Sequence, residues 1–116
     1  MIKRLHVATR YSEAAIHNGV VYLAGQVPND VTQGIEGQTA EVLTMIDDLL
    51  AQAGSSKDHL LTVTIYLTDM ADYAGMNKVW DGWLNQGFAP PRACVQTALA
   101  NPLWKVEIVV VAAQLR

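Results

Sequence analysis

The sequence predicts an α+β domain in which two helices pack on one face of a mixed sheet. Three observations predict it. An Asn18-Gly19 pair sits between two apolar runs, two segments carry a helical apolar stripe, and the last strand, "WKVEIVVVAAQL", is apolar on both faces. A short edge strand, "IKRLHV", comes first, and the order reads ββ(hairpin)-α-β-α-β-β.

Asn-Gly is the strongest short hairpin signal, because both central residues of a type I′ turn need positive φ. A two-residue turn sets His17 opposite Val20, Ala15 opposite Tyr22, and Tyr11 opposite Gln26 at the far end. Gly34 and Gly37 predict a loop. "QTAEVLTMIDDLLAQAG" then spaces Val42, Leu43, Ile46, Leu49 and Leu50 as a helical stripe, with Gly54 as the stop. "HLLTVTIYLTD" alternates Leu61, Val63, Ile65 and Leu67 against polar neighbours, the pattern of a half-buried strand. Asp69 or Asp72 can cap a second helix, whose inner face is Tyr73, Met76, Trp80, Trp83 and Leu84 and which Gly87 ends. "ACVQTALA" reads as a strand, Asn101-Pro102 as a turn, and the final strand needs cover on both faces. Two helices cover one face only.

The 116 residues read as one domain, 1–116, able to bury a core without disulfides or metal. Half the chain is hydrophobic (51%) and only 16% is charged. So few charges predict that other copies of the chain cover part of the surface. The net charge of −3, with no Lys/Arg cluster, argues against nucleic acid or membrane as partner. A single cysteine, Cys94, and an N-terminus without a signal-peptide core predict a reducing, cytoplasmic setting. Gly-rich phosphate loops, CxxC, HExxH and GxSxG are all absent. His6, His17 and His59 are scattered and read as surface residues, so metal catalysis has no support.

Arg92 and Glu107 stand out against this background. Pro90-Pro91 hold the backbone extended before Arg92. A guanidinium on a stiff support suits a carboxylate, which it grips with two parallel hydrogen bonds. Glu107 interrupts an apolar strand, where an ionised carboxylate costs several kcal/mol unless paired. Two readings fit: a site, or a structural salt bridge or exposed strand-end charges. In a plain hairpin about Asn101-Pro102, Gln96 would face Glu107 and Arg92 would lie roughly 13 Å away. A direct bond within one chain is therefore disfavoured, and a partner across a subunit boundary is one alternative. Tyr11, near Gly25 by register, either bonds a ligand or covers an edge. Asn77, among aromatics of the second helix, is structural or lines a site. Cys94 shares Arg92's strand parity and reads as an inert buried thiol.

The pieces "VVYLAGQVP", "TVTIYLTDMADYAGMNKVW", "PPRACVQ" and "KVEIVVVAA" occur in an order and spacing that resembles the RidA/YjgF family of enamine/imine deaminases over nearly the whole chain. "RYSEAAIHNG", "MNKVWDGW" and "NPLWKVEIVVVAA" are most similar to its RidB/YoaB branch. The resemblance implies a chorismate-mutase-like fold and a homotrimeric barrel with clefts between subunits. It implies hydrolysis of 2-enamine/2-imino acids, such as 2-aminoacrylate, to 2-keto acids and ammonia, with no cofactor. By resemblance, Arg92 grips the substrate carboxylate and Glu107 holds the attacking water. Tyr11, Gly25 and Asn77 match cleft positions, and Ala93 and Cys94 match residues whose backbone lines the cleft. Ala24 stands where RidA proper has a serine, so one hydroxyl is missing. The rival readings are non-catalytic binding of small carboxylic acids in the same cleft, and a chaperone or ribonuclease role.

Overall fold

The computed structural model describes residues 1–115. Asn18 and Gly19 adopt φ of 52° and 76°, the pair of left-handed conformations that a type I′ turn requires. They join β2 (Ser12–His17) to β3 (Val20–Leu23). His17 pairs with Val20 and Ala15 with Tyr22, as the turn length dictates. The register ends after the Ala24 N–H donates to the Glu13 carbonyl at 2.9 Å. Gln26 then exchanges both backbone bonds with Ile108, so it does not face Tyr11 as the hairpin alone predicts. A central strand has captured the end of the hairpin. β1 (Lys3–Val7) forms the outer edge beside β2.

α1 spans Ile35–Gln52. It begins earlier than the apolar stripe alone indicates, and Gly37 lies in its first turn, not in a loop. The cause is polar anchoring. The fully buried Gln38 donates to the carbonyls of Gln33 and Leu103 and accepts from the Lys105 N–H, and Thr39 donates to the Ile35 carbonyl. Gly54, at φ +77°, follows the helix end as expected. α2 spans Tyr73–Trp83. Asp69 caps the short turn before it by accepting from the Ala71 N–H, while Asp72 makes no capping bond. The helix stops at Trp83, ahead of Gly87, because Leu84 is already extended.

β4 (Leu60–Leu67) lies parallel to β5 (Arg92–Gln96), and β6 (Val106–Ala113) runs antiparallel to both β3 and β4. The six strands are ordered β1-β2-β3-β6-β4-β5. A bulge between Leu60 and Thr62 shifts the start of β4. It buries Leu60 and turns Leu61 outward, 47% exposed, against the simple alternation. β5 ends at Gln96, short of the predicted run to Ala100. β5 and β6 are not neighbours, since β4 lies between them.

Both helices pack on one face of the sheet, in a slab 20 Å thick. That thickness is one sheet and one helix layer. β6 alternates across the sheet: Val106, Ile108, Val110 and Ala112 are buried under the helices, while Glu107, Val109, Val111 and Ala113 face the other side half-buried. On that open face Tyr22 is 48% and Val95 42% exposed. None of the helices is long and apolar enough to cross a membrane, among the described residues.

Ile65 has no exposed surface at the centre of the core, whereas Phe88 lies half-exposed in a loop. Ile65→Ala is expected to cost about 2–5 kcal/mol in urea unfolding. Phe88→Ala is expected to stay within about 1 kcal/mol. Equal losses from the two would contradict this placement of the core.

Candidate functional site

Arg92 opens β5 directly after Pro90-Pro91. Its Cα partner on β4 is Val63, a core residue, so the Arg92 side chain lies on the helix face of the sheet. There it meets three residues of α2 at helical spacing: Tyr73, Asn77 and Trp80. Nη1 donates to Asn77 Oδ1 at 2.8 Å, and Nη2 donates to the Tyr73 hydroxyl at 3.3 Å. The guanidinium sits 5.3 Å from the Trp80 ring centroid, within cation–π range. Arg92 makes no ion pair with any described residue. Guanidinium carries five N–H donors, so about three are left for a ligand.

Cys94 is on the same face, half-buried. Burial pushes its thiol above the ordinary value, and the nearby Arg92 charge offsets part of that. The thiol is thus an inert neighbour of the arginine, not a nucleophile. Its backbone matters more. The Val63 N–H donates to the Pro91 carbonyl and the Thr97 N–H to the Leu67 carbonyl. In a parallel ladder this alternation commits residues 91, 93, 95 and 97 to β4. The polar backbone groups of Arg92 and Cys94 therefore point away from the sheet, beside the guanidinium. Those of Ala93 are used in the ladder, and its side chain lies exposed on the open face.

Glu107 lies elsewhere. It pairs with Tyr66 on β4 and faces the open side of the sheet. Its carboxylate rests against Gly25, where a Cβ would overlap it. Only glycine permits that approach. The carboxylate accepts no hydrogen bond from any described residue. Tyr11, 61% exposed, borders a groove of about 350 Å³ together with Glu13, Gly25, Gln26 and residues of α1.

Six of the seven candidate residues thus fall into two half-sites, and Ala93 into neither. Arg92, Asn77 and the Cys94 backbone form one at the β5 edge. Glu107 and Gly25 form the other across the sheet, with Tyr11 at the rim of the adjoining groove. β5 and β6 are about 10 Å apart across β4, and Arg92 and Glu107 point to opposite faces. No salt bridge joins them within a chain. Tyr73 and Trp80, expected to be packing residues, cradle the arginine. Their spacing with Asn77 on one helix face was the available signal; what they would face was not readable until β5 was placed.

Two tests follow from this geometry. Because burial holds the Cys94 thiol up, its alkylation by iodoacetamide is expected to rise with pH along a curve whose midpoint lies above that of free cysteine. A midpoint below free cysteine would mean an activated thiol. Gly25→Ala is expected to displace the Glu107 carboxylate. An unmoved carboxylate in a crystal structure of that variant would contradict the close approach.

Comparison with known proteins places the chain in a family. The family profile described as Endoribonuclease L-PSP matches residues 1–114. A RutC family protein of Haemophilus ducreyi is 50% identical over 113 residues, covering 97% of each chain. The RutC family protein YoaB of Escherichia coli is 45% identical over 112 residues, again 97% of each. A solved YjgF-family protein of Neisseria meningitidis superposes with a TM-score of 0.97 at 46% identity, covering 100% of this chain and 97% of its own. This chain belongs to the YjgF/RutC family, whose profile carries the L-PSP endoribonuclease description.

Proposed function

We propose that the protein hydrolyses reactive 2-imino acids to 2-keto acids and ammonia, in clefts formed where the Arg92 half-site of one copy meets the Glu107 half-site of a neighbour. The single observation that carries this reading is the partition itself. An arginine prepared for an anion and a carboxylate without a partner point to opposite faces of one chain. They can serve one small substrate only if two copies share it. The uncovered face of β6, with Val109, Val111, Tyr22 and Val95 at its surface, supplies apolar area for such an assembly. The proposed assembly is a homotrimer whose sheets close a central barrel.

The chemistry asks little of the protein. A protonated imine is already electrophilic at C2. Arg92 and the outward Cys94 N–H hold the substrate carboxylate, which fixes C2 in place. Glu107 accepts a hydrogen bond from a water on the adjoining side and takes its proton as oxygen attacks C2. That proton passes to nitrogen, and as the C–N bond breaks Glu107 takes the carbinolamine hydroxyl proton and returns it to the departing ammonia. The balance is one iminium and one water to one keto group and one ammonium, and no redox step or cofactor enters. Ala24 contributes no hydroxyl to this cleft.

The rival reading, binding of small carboxylic acids without turnover, uses Arg92 alike but leaves the unpartnered Glu107 idle. With a dehydratase supplying 2-aminoacrylate and keto-acid release followed, wild type is expected to exceed the uncatalysed rate. Arg92→Ala is expected to lose roughly ten- to a hundredfold in kcat/KM. Glu107→Gln is expected to lower kcat while pyruvate still binds. Pyruvate binding with release fixed at the uncatalysed rate would establish the rival instead.

A further inference from the structure

We propose that Tyr73 is a substrate-positioning residue, whose hydroxyl acts with Arg92 as a second donor to the substrate carboxylate. This rests on the reading that Arg92 grips that carboxylate. Tyr73 stands in the first turn of α2, one helical turn before Asn77 and on the same face. Its oxygen accepts from Arg92 Nη2 at 3.3 Å, and no other described residue bonds it. A hydroxyl that accepts from a guanidinium turns its own hydrogen away from it, because two donors facing each other repel. The Tyr73 O–H is left to be donated outward. No side-chain acceptor takes it, and the ring is 40% exposed.

The two contacts divide the labour around Arg92. Asn77 is closer, at 2.8 Å, and its amide oxygen can only accept, so it fixes the guanidinium without offering a proton toward the ligand from that atom. Trp80, with only 4% of its surface exposed, places its ring centroid 5.3 Å from the guanidinium carbon and offers no proton to the ligand. Tyr73 alone among the three is exposed and carries a free O–H. A carboxylate approaching the arginine's unused N–H donors therefore meets a second donor beside Nη2.

The test compares wild type, Tyr73→Phe and Arg92→Ala, using pyruvate and its uncharged analogue pyruvamide as probes in calorimetry. Tyr73→Phe is expected to weaken pyruvate binding roughly three- to tenfold, the worth of one hydrogen bond. Pyruvamide binding and the thermal midpoint are expected to stay unchanged. In turnover, KM should rise by a similar factor with kcat nearly constant. Unchanged pyruvate affinity in Tyr73→Phe, with affinity lost in Arg92→Ala, overturns the role of Tyr73 and leaves the arginine grip standing. A lowered thermal midpoint with unchanged affinity makes Tyr73 a structural tether and overturns it too. Equal pyruvate affinity in wild type and Arg92→Ala removes the grip itself, and the role of Tyr73 with it.

Discussion

Strand β6 has two faces, and the sheet can cover only one of them. Val106, Ile108, Val110 and Ala112 lie beneath α1 and α2, which fixes the strand's orientation to within a residue, because a slip by one would put Glu107 into the core. That alternation determines where the chemistry can be. Glu107 must face away from the helices. Arg92, in step with the buried Val63, must face toward them. The proposal that a second copy of the chain completes the site follows from this opposition.

Each half-site is held by a different kind of constraint. On the Glu107 side the constraint is steric: Gly25 gives up its side-chain volume so that a carboxylate can lie against the backbone. The half-buried carboxylate accepts no hydrogen bond from the described residues, which leaves its oxygens open to a ligand, a water or a neighbouring chain. On the Arg92 side the constraint is rigidity. Two prolines stiffen the approach, and one face of α2 supplies an amide, a hydroxyl and an indole ring. The edge position of β5 adds outward backbone groups that no strand consumes. An edge strand is ordinarily a hazard for unwanted pairing; here it is only five residues long and opens with a charged arginine.

Much of the fold was legible in the sequence because local signals are strong where one residue type alone fits. Asn18-Gly19 specified the turn and its register, and Gly54 the end of α1. The stripes placed both helices. The misplaced details each have a non-local cause. Gln26 left Tyr11 for Ile108 because a strand distant in sequence competed for it. Leu61 turned outward at a bulge. Gly37 joined α1 because Gln38 is tied to the turn before β6. The candidate residues came from motif order, and strand spacing already set Arg92 apart from Glu107, but the strand between them was not readable. Which strand separates Arg92 from Glu107 depends on β4 entering between β5 and β6, a long-range choice that leaves no mark on spacing.

The claim that one cleft draws its arginine and its glutamate from different copies has a direct test by complementation. Arg92→Ala and Glu107→Gln proteins, each with little activity alone, are unfolded together, refolded as mixed assemblies and assayed for keto-acid release. In a ring of randomly mixed subunits, about a quarter of the clefts pair an intact arginine with an intact glutamate. Activity recovered to roughly that fraction of wild type is the result this account predicts. Mixed assemblies no more active than either parent, despite confirmed subunit exchange, would contradict it.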